Sequence, residues 1–140
     1  TRRSSDLSLY VDSSEEDGHF FVYLEDVSPR GTVSYITEGL LRGRCREVST
    51  ERSPYKLPPD VPYHTFKRED AQPLVPGKVE LITFDLQATS VLFQKGHRVR
   101  IALAGADKDH YTIPEVSEPV LKIYRSPAYP SSLELPVVER

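Results

Sequence analysis

Four histidines, one cysteine and two clusters of charge are the residues of this chain with chemistry to offer. A serine hydrolase needs a nucleophile, a base, an orienting acid and an oxyanion hole. The sequence has no Gly-x-Ser-x-Gly, the strained elbow that exposes the serine in α/β-hydrolases. His97 opens an alternating run and reads as an orienting hydrogen-bonder or an exposed residue at a strand start. His19, which borders an acidic loop, reads the same way. Asp107, Asp109 and His110 form the one cluster with metal-ligand chemistry. A calcium ion, however, wants roughly six to eight oxygens, and no further ligands are evident nearby. Hydrated turn residues are the expectation.

Cys45 lies in a strand-like run with Leu41 and Gly43 on its face, the setting of a small buried apolar residue rather than a thiol nucleophile. Arg42, Arg44 and Arg46 alternate, so a strand would gather them into a basic stripe. Glu38 and Glu47 offset it, and a solvated face results. The sequence thus assigns no catalytic, cofactor-binding or metal-binding residue to this chain.

Short strands must position whatever these groups do. Val99, Ile101 and Leu103 alternate with Arg98, Arg100 and Ala102, which predicts a strand with three buried aliphatics and exposed arginines. Lys78 to Leu86 is apolar on both faces, as in a central strand or one that bends between two layers. Thr89 or Ser90 can cap a single helical turn through Phe93, with Gly96 as its exit.

Ser4 to Asp12 alternates on Leu7, Leu9 and Val11. Phe20, Val22 and Leu24 then share one face, with Phe21, Tyr23 and Val27 on the other. Ser28-Pro29-Arg30-Gly31 turns this strand into a hairpin with Val33 to Thr37. Gly39 permits a bend or bulge before Leu40 to Glu47 continues. Val120 to Tyr124 is a further strand. Ser132 to Val138 closes the fold at an edge, with Leu133, Leu135 and Val137 facing in and Pro136 excluding a central position.

Between these strands, Ser49 to Gln72 carries Pro54, Pro58, Pro59 and Pro62, so neither helix nor central strand fits. Tyr55, Tyr63, His64 and Phe66 are expected to anchor it over the sheets as a long crossover of the Greek-key kind. Many short strands joined by turn signals make an all-β sandwich.

The bounds agree. One hundred and forty residues suit a single domain with one modest core. A net charge of −3 and a pI near 5.8 give no reason to expect nucleic acid or an anionic membrane as partner. No apolar run is long enough to cross a bilayer, and Thr1 onward is unlike a signal peptide. A single cysteine precludes an internal disulfide and favours a reducing, cytoplasmic compartment. Oligomeric state is left open, homo-oligomers included.

Several runs also carry a resemblance. PLVPGKVELITFDLQATSVLFQKGHRVRIALAGAD, FVYLEDVSPRGTVSYITEGLLRGRCRE and YRSPAYPSSLELPVV resemble the C-terminal β-sandwich domain of the X-Pro dipeptidyl-peptidase and cocaine-esterase (CocE/NonD) family of serine hydrolases. Its pattern is met by Asp17, Leu24-Glu25-Asp26-Val27, Gly31, Thr37-Glu38-Gly39, Leu41-Arg42, Pro76-Gly77 and Gly96-His97-Arg98-Val99-Arg100. The resemblance implies a jelly-roll-like, galactose-binding-domain-like sandwich over residues 1–140, without its first strand or strands. It further implies a non-catalytic domain that packs on an α/β-hydrolase partner and frames its pocket. The triad would belong to that partner, so no residue here inherits a catalytic role. The alternative is a stand-alone carbohydrate-binding sandwich, which would want exposed aromatic platforms. Tyr55, Tyr63, Tyr111 and Tyr129 are dispersed along the chain, and there is no tryptophan.

Overall fold

The computed structural model describes residues 5–58, 60–112 and 118–138. Ser4 and Pro59, named above, lie outside them. In chain order the strands are β1 (Ser5–Ser13), β2 (His19–Val27), β3 (Val33–Arg42), β4 (Glu80–Leu86), β5 (Arg98–Ala104), β6 (Leu121–Tyr124) and β7 (Ser132–Glu134). They form two antiparallel sheets packed as a sandwich. One is ordered β4-β1-β6, with β7 also on β1, and the other is ordered β3-β2-β5. Among the described residues, no helix is long and apolar enough to cross a membrane.

β6 and β7 take successive parts of the same β1 edge: Tyr10 faces Tyr124, and Leu7 faces Leu133. They behave as one strand interrupted by a surface excursion, closed at its neck by the Arg125–Pro130 bridge. β1 is therefore paired on both edges and covered on both faces. Leu7, Leu9 and Val11 enter the core, while Asp6 and Asp12 are buried on the opposite face. The facing sheet contributes Phe20, Val22, Leu24 and Leu41, and β4 contributes Ile82, Phe84 and Leu86. Each such burial is worth about 1.5–3 kcal/mol.

The two sides of the sandwich differ. On one, β4 bends toward β3. The Gln87 amide donates to Glu38 O (2.8 Å), and Thr37 Oγ1 donates to Gln87 O (2.7 Å). Gly39 sits where the strands cross, and a Cβ there would lie 2.7 Å from Asp85 O. Gly39 thus serves a close backbone approach. The register shift of the β2–β3 hairpin falls elsewhere, between Leu24 and Glu25. The apolar character of Lys78 to Leu86 reflects a strand bending between layers; it is an edge strand, and Leu81 is exposed.

On the other side, β5 ends its sheet. Its pairing places Leu103 opposite Val22 and Ile101 opposite Leu24, so the aliphatic face is the one expected. Val99 and Leu103 nevertheless remain 47% and 43% exposed. Alternation fixes which face a side chain takes, but burial requires something over that face, and an edge strand has none on its far side. Val137, likewise expected inside, is exposed because β7 stops at Glu134.

Three smaller expectations also give way. Residues 87–94 form no helical turn, and the connection simply carries the chain from one sheet to the other. β3 stops at Arg42, where Gly43–Cys45 winds into a 3-10 turn rather than continuing to Glu47. In the proline crossover, Tyr55 and Phe66 are 71% and 65% exposed, while His64 is buried. Polar hydrogen bonding rather than aromatic packing holds that segment.

Denaturant midpoints of the chain should report the closed and open sides separately. Ile82→Ala is expected to cost about 2–5 kcal/mol as a core truncation, and Gly39→Ala about 1–3 kcal/mol by forcing β3 off Asp85 O. Val99→Thr should stay within about ±0.5 kcal/mol. A Val99 loss as large as that of Ile82 would mean that β5 is covered.

Candidate functional site

The densest polar network lies on the outer face of the β3-β2-β5 sheet. Because Phe20, Val22 and Leu24 point inward, Phe21, Tyr23 and Glu25 point out. β5 places Ala104 and Ala102 opposite Phe21 and Tyr23, and these small side chains leave room for the chain after β5 to fold back. The returning segment sets the Tyr111 ring 5.0 Å from Phe21, which buries Phe21. It also brings Asp107 over Tyr23, whose hydroxyl donates to Asp107 Oδ2 at 2.7 Å. Asp107 Oδ1 accepts the backbone N–H groups of Asp109 and His110, both at 3.2 Å, and His110 Nδ1 lies 3.0 Å away.

Asp107 is the hub, and its neighbours shift accordingly. The hydrogen bond from Tyr23 and then His110 hold its carboxyl below the ordinary value, against a smaller opposing effect of burial. The hydrogen bond to Asp107 raises His110. Burial, followed by the same carboxylate, pushes the Tyr23 phenol up, so it is a donor at any physiological pH. Asp107 and His110 are thus brought together as the sequence suggested, but in a loop-closing turn. Asp109 contributes only its backbone N–H. No metal-competent group of histidine, cysteine and acidic side chains forms among the described residues.

The other histidines are similarly engaged. His97 Nδ1 lies 2.8 Å and 3.0 Å from the Asp26 carboxylate oxygens and so fastens the entry of β5 to β2. The His19 ring meets Phe21 edge-on, and burial, then Arg42, lowers its pKa. His64 Nδ1 and Nε2 lie 2.9 Å and 2.8 Å from the carbonyls of Glu47 and Thr83. A neutral ring carries one N–H, so it bonds one carbonyl at a time, and only the imidazolium bonds both. His97 and His110 are paired with carboxylates and His64 with backbone. No serine hydroxyl takes part in any of these contacts.

The arginine stripe does not form. Arg42 Nε lies 2.6 Å from Asp17 Oδ2, and Arg44 Nε approaches the same oxygen at 3.4 Å. Arg46 turns the other way, to the Gln72 carbonyl and Glu80. The 3-10 turn at Gly43–Cys45 breaks the alternation that a stripe requires. Asp17, in the sequence an acidic loop residue that meets the family pattern, ties the end of β3 to the β1–β2 connection. Cys45, half-buried against the core, carries a free thiol.

An open cleft of about 1300 Å³ lies under the proline crossover, between residues 48–63 and the side chains of Asp6 and Thr83. No histidine or cysteine lines it among the described residues. Three tyrosines do gather, with Tyr129 packed on both Tyr10 and Tyr124, whereas Tyr111 packs on Phe21 and Tyr55 is exposed on the crossover.

Comparison with known proteins identifies the family. Residues 4–134 match the family described as the X-Pro dipeptidyl-peptidase C-terminal non-catalytic domain. A protein of Mycobacterium bovis named as a candidate serine esterase is 51% identical over 133 residues, which is 95% of this chain and 21% of that protein. The cocaine esterase of Rhodococcus sp. is 25% identical over 94% of this chain and 22% of its own length. The crystal structure of a CocE/NonD family hydrolase from Staphylococcus aureus superposes with a TM-score of 0.73 at 21% identity. That match covers 93% of this chain and 27% of the hydrolase, and it shows a shared fold. The chain spans about a fifth of the length of the curated relatives it matches.

Two predictions follow from the network and the clip. His110 stabilises the fold below its unfolded pKa and loses that contribution as pH rises through its raised folded value. Asp107 contributes above the ordinary carboxylate value and loses its share as pH falls through its depressed one. The pair is therefore strongest between these limits. In an NMR titration, Asp107→Asn should bring the His110 midpoint back down; an unchanged midpoint would disprove the pairing. His64→Ala, by removing the buried ring that links the Glu47 and Thr83 carbonyls, should cost about 1–3 kcal/mol and speed tryptic cleavage at Lys56 and Lys67.

Proposed function

The chain belongs to the family of X-Pro dipeptidyl-peptidase C-terminal non-catalytic domains, and from that membership we propose that it serves a larger CocE/NonD-type serine hydrolase as its accessory sandwich. In this reading it packs on an α/β-hydrolase domain and helps frame the pocket in which an ester or X-Pro amide is cleaved through a serine acyl-enzyme. The observation that carries the proposal is the 51% identity over nearly the whole chain to one fifth of a candidate serine esterase. The site geometry supports it. Among the described residues, His64 hydrogen-bonds with backbone carbonyls and His97 and His110 with carboxylates rather than with a serine hydroxyl. A lone thiol, Cys45, is in keeping with a cytoplasmic parent. Tyr111 packs on Phe21 and Tyr129 joins Tyr10 and Tyr124 in one cluster, and the family match favours the accessory reading over the carbohydrate-module alternative.

The test is activity with and without the chain. Purified alone, it should turn over a chromogenic acyl ester at the solvent background and take no serine-directed phosphonate. Losing the triad alone costs a serine hydrolase on the order of 10⁶ in turnover. The full-length protein should be labelled at one serine outside these residues, and deleting them should raise KM or abolish folding. Stoichiometric labelling of the isolated chain, lost on replacing one serine by alanine, would overturn the reading.

A further inference from the structure

Arg42 and Arg44 converge on one carboxylate that needs only one of them. Asp17 Oδ1 accepts the Gly18 N–H at 2.9 Å and the Arg44 N–H at 3.3 Å, and Oδ2 accepts the Arg42 Nε–H at 2.6 Å. Arg44 Nε also comes within 3.4 Å of Oδ2, but that atom is buried and makes no hydrogen bond. Two guanidinium charges thus face one carboxylate charge. Among the described residues neither arginine meets a second acid, and Glu15 and Glu16, exposed in the same loop, form no ion pair with either. Arg46 is the contrast. It bonds the carbonyls of Gly43, Gln72 and Pro73 and reaches Glu80.

The backbone holds this excess of positive charge in place. The Gly43 N–H donates to Gly18 O at 2.7 Å, and the Gln72 N–H donates to Arg44 O at 2.8 Å. A Cβ on Gly43 would lie 2.7 Å from Leu74 Cδ1, so the 3-10 turn that carries Arg44 is seated against the core. Because its own amide is bonded to Asp17, Arg44 is kept within reach of that carboxylate. The outer ends of both side chains remain available. Arg42 is 47% and Arg44 35% exposed, and among the described residues their terminal nitrogens have no partner. His19, opposite Arg42 across β2 and β3, feels the resulting field. Burial, then Arg42, lowers its pKa, and Asp17 opposes them by less. At that ring the arginine outweighs the carboxylate.

We propose that Arg42 and Arg44 form a binding site for an oxyanion, a carboxylate or phosphate group held by the terminal N–H groups of both guanidiniums. Such a group supplies the second negative charge that the cluster lacks. The chemistry of the donors selects it. A guanidinium edge presents two parallel N–H groups that match two oxygens of a carboxylate or phosphate, a geometry that a spherical anion does not use. Asp17 takes the Nε of Arg42 and so leaves its Nη1–Nη2 edge to a ligand. In Arg44 the buried Nε lies on the same side, toward Asp17, and the terminal nitrogens again remain. The carboxylate therefore organises the two arginines without filling them. This chain alone makes the site, whether or not it serves a larger hydrolase.

The test is a titration of the chain with inorganic phosphate, followed by NMR at the arginine Nε–Hε resonances. Arg42 and Arg44 should shift along one saturable curve, while Arg46 and Arg100, already engaged by carbonyls and carboxylates, stay in place. Acetate is the carboxylate arm of the experiment, and chloride at equal ionic strength is the control that should not saturate. Arg44→Gln is expected to weaken phosphate binding at least about tenfold, through the loss of charge-assisted hydrogen bonds. Arg44→Lys keeps the charge without the fork and should fall between. Arg100→Gln, which removes an arginine paired with Glu25, should leave binding unchanged. Saturation by phosphate, by acetate or by both supports the site and shows which oxyanion it prefers. The unmodified chain decides the matter even where a variant fails to fold. Shifts that never saturate, that chloride reproduces, or that spread equally over the four arginines would mean ionic screening alone and overturn the site.

Discussion

The crossing of β3 and β4 at Gly39 is the constraint from which the shape of this sandwich follows. Only a residue without a Cβ lets the two backbones pass, because Asp85 O occupies the position a methyl would take. Once they pass, Gln87 leaves β4 and bonds Glu38 in the other sheet, and the two layers are stitched along that side. β1 must then stack over β2, and the remaining strands, β5 on one layer and β6 with β7 on the other, fall together on the far side. Sewn at one margin, the sandwich is open at the other among the described residues.

That asymmetry explains how the sequence could be right about faces and wrong about burial. Alternation in β1, β2 and β5 assigned each side chain to its face, because the period of a strand is a local property of the backbone. Leu7, Leu9 and Val22 are buried because neighbours lie on both sides of them. Val99 and Leu103 have the same pattern and no neighbour on one side. Position in the sheet is a tertiary fact, and residues 98–104 contain no sign of it beyond two arginines. The end of β3 was illegible for a different reason. Arg42, Arg44 and Arg46 alternate as a strand would, but Asp17 draws two of them to one side and the chain winds to comply.

The polar groups show a similar division between type and use. The sequence correctly placed Asp107 and His110 in a turn, and the chemistry of that turn is capping: one carboxylate accepts two backbone N–H groups and anchors a tyrosine. Tyr23 was assigned to the face opposite Phe20, Val22 and Leu24 but could not be linked to a residue 84 positions away. His64 was read as one apolar anchor among several. It is the buried one, with its two nitrogens within reach of carbonyls on either side, whereas Tyr55 is exposed and Phe66, which meets the His64 ring at 6.0 Å, is exposed too. A single ring thus holds the crossover more firmly than the aromatics that flank it.

These placements bear on how a sandwich can belong to an enzyme without holding its chemistry. Each charged or titratable cluster here closes a loop or fastens a strand end: His97 on Asp26, Arg42 on Asp17, Asp107 on Tyr23. A group committed in this way is held in its geometry by the interaction it makes, and a carboxylate stabilised by three or four donors is a poor base. These three clusters are engaged within the fold, while the apolar margin along β5 faces water. An edge whose side chains face water gains by pairing with another strand, since pairing buries area and bonds amides at once. The margin along β5 offers backbone and aliphatic contact, whereas the titratable clusters named above are taken up by the fold.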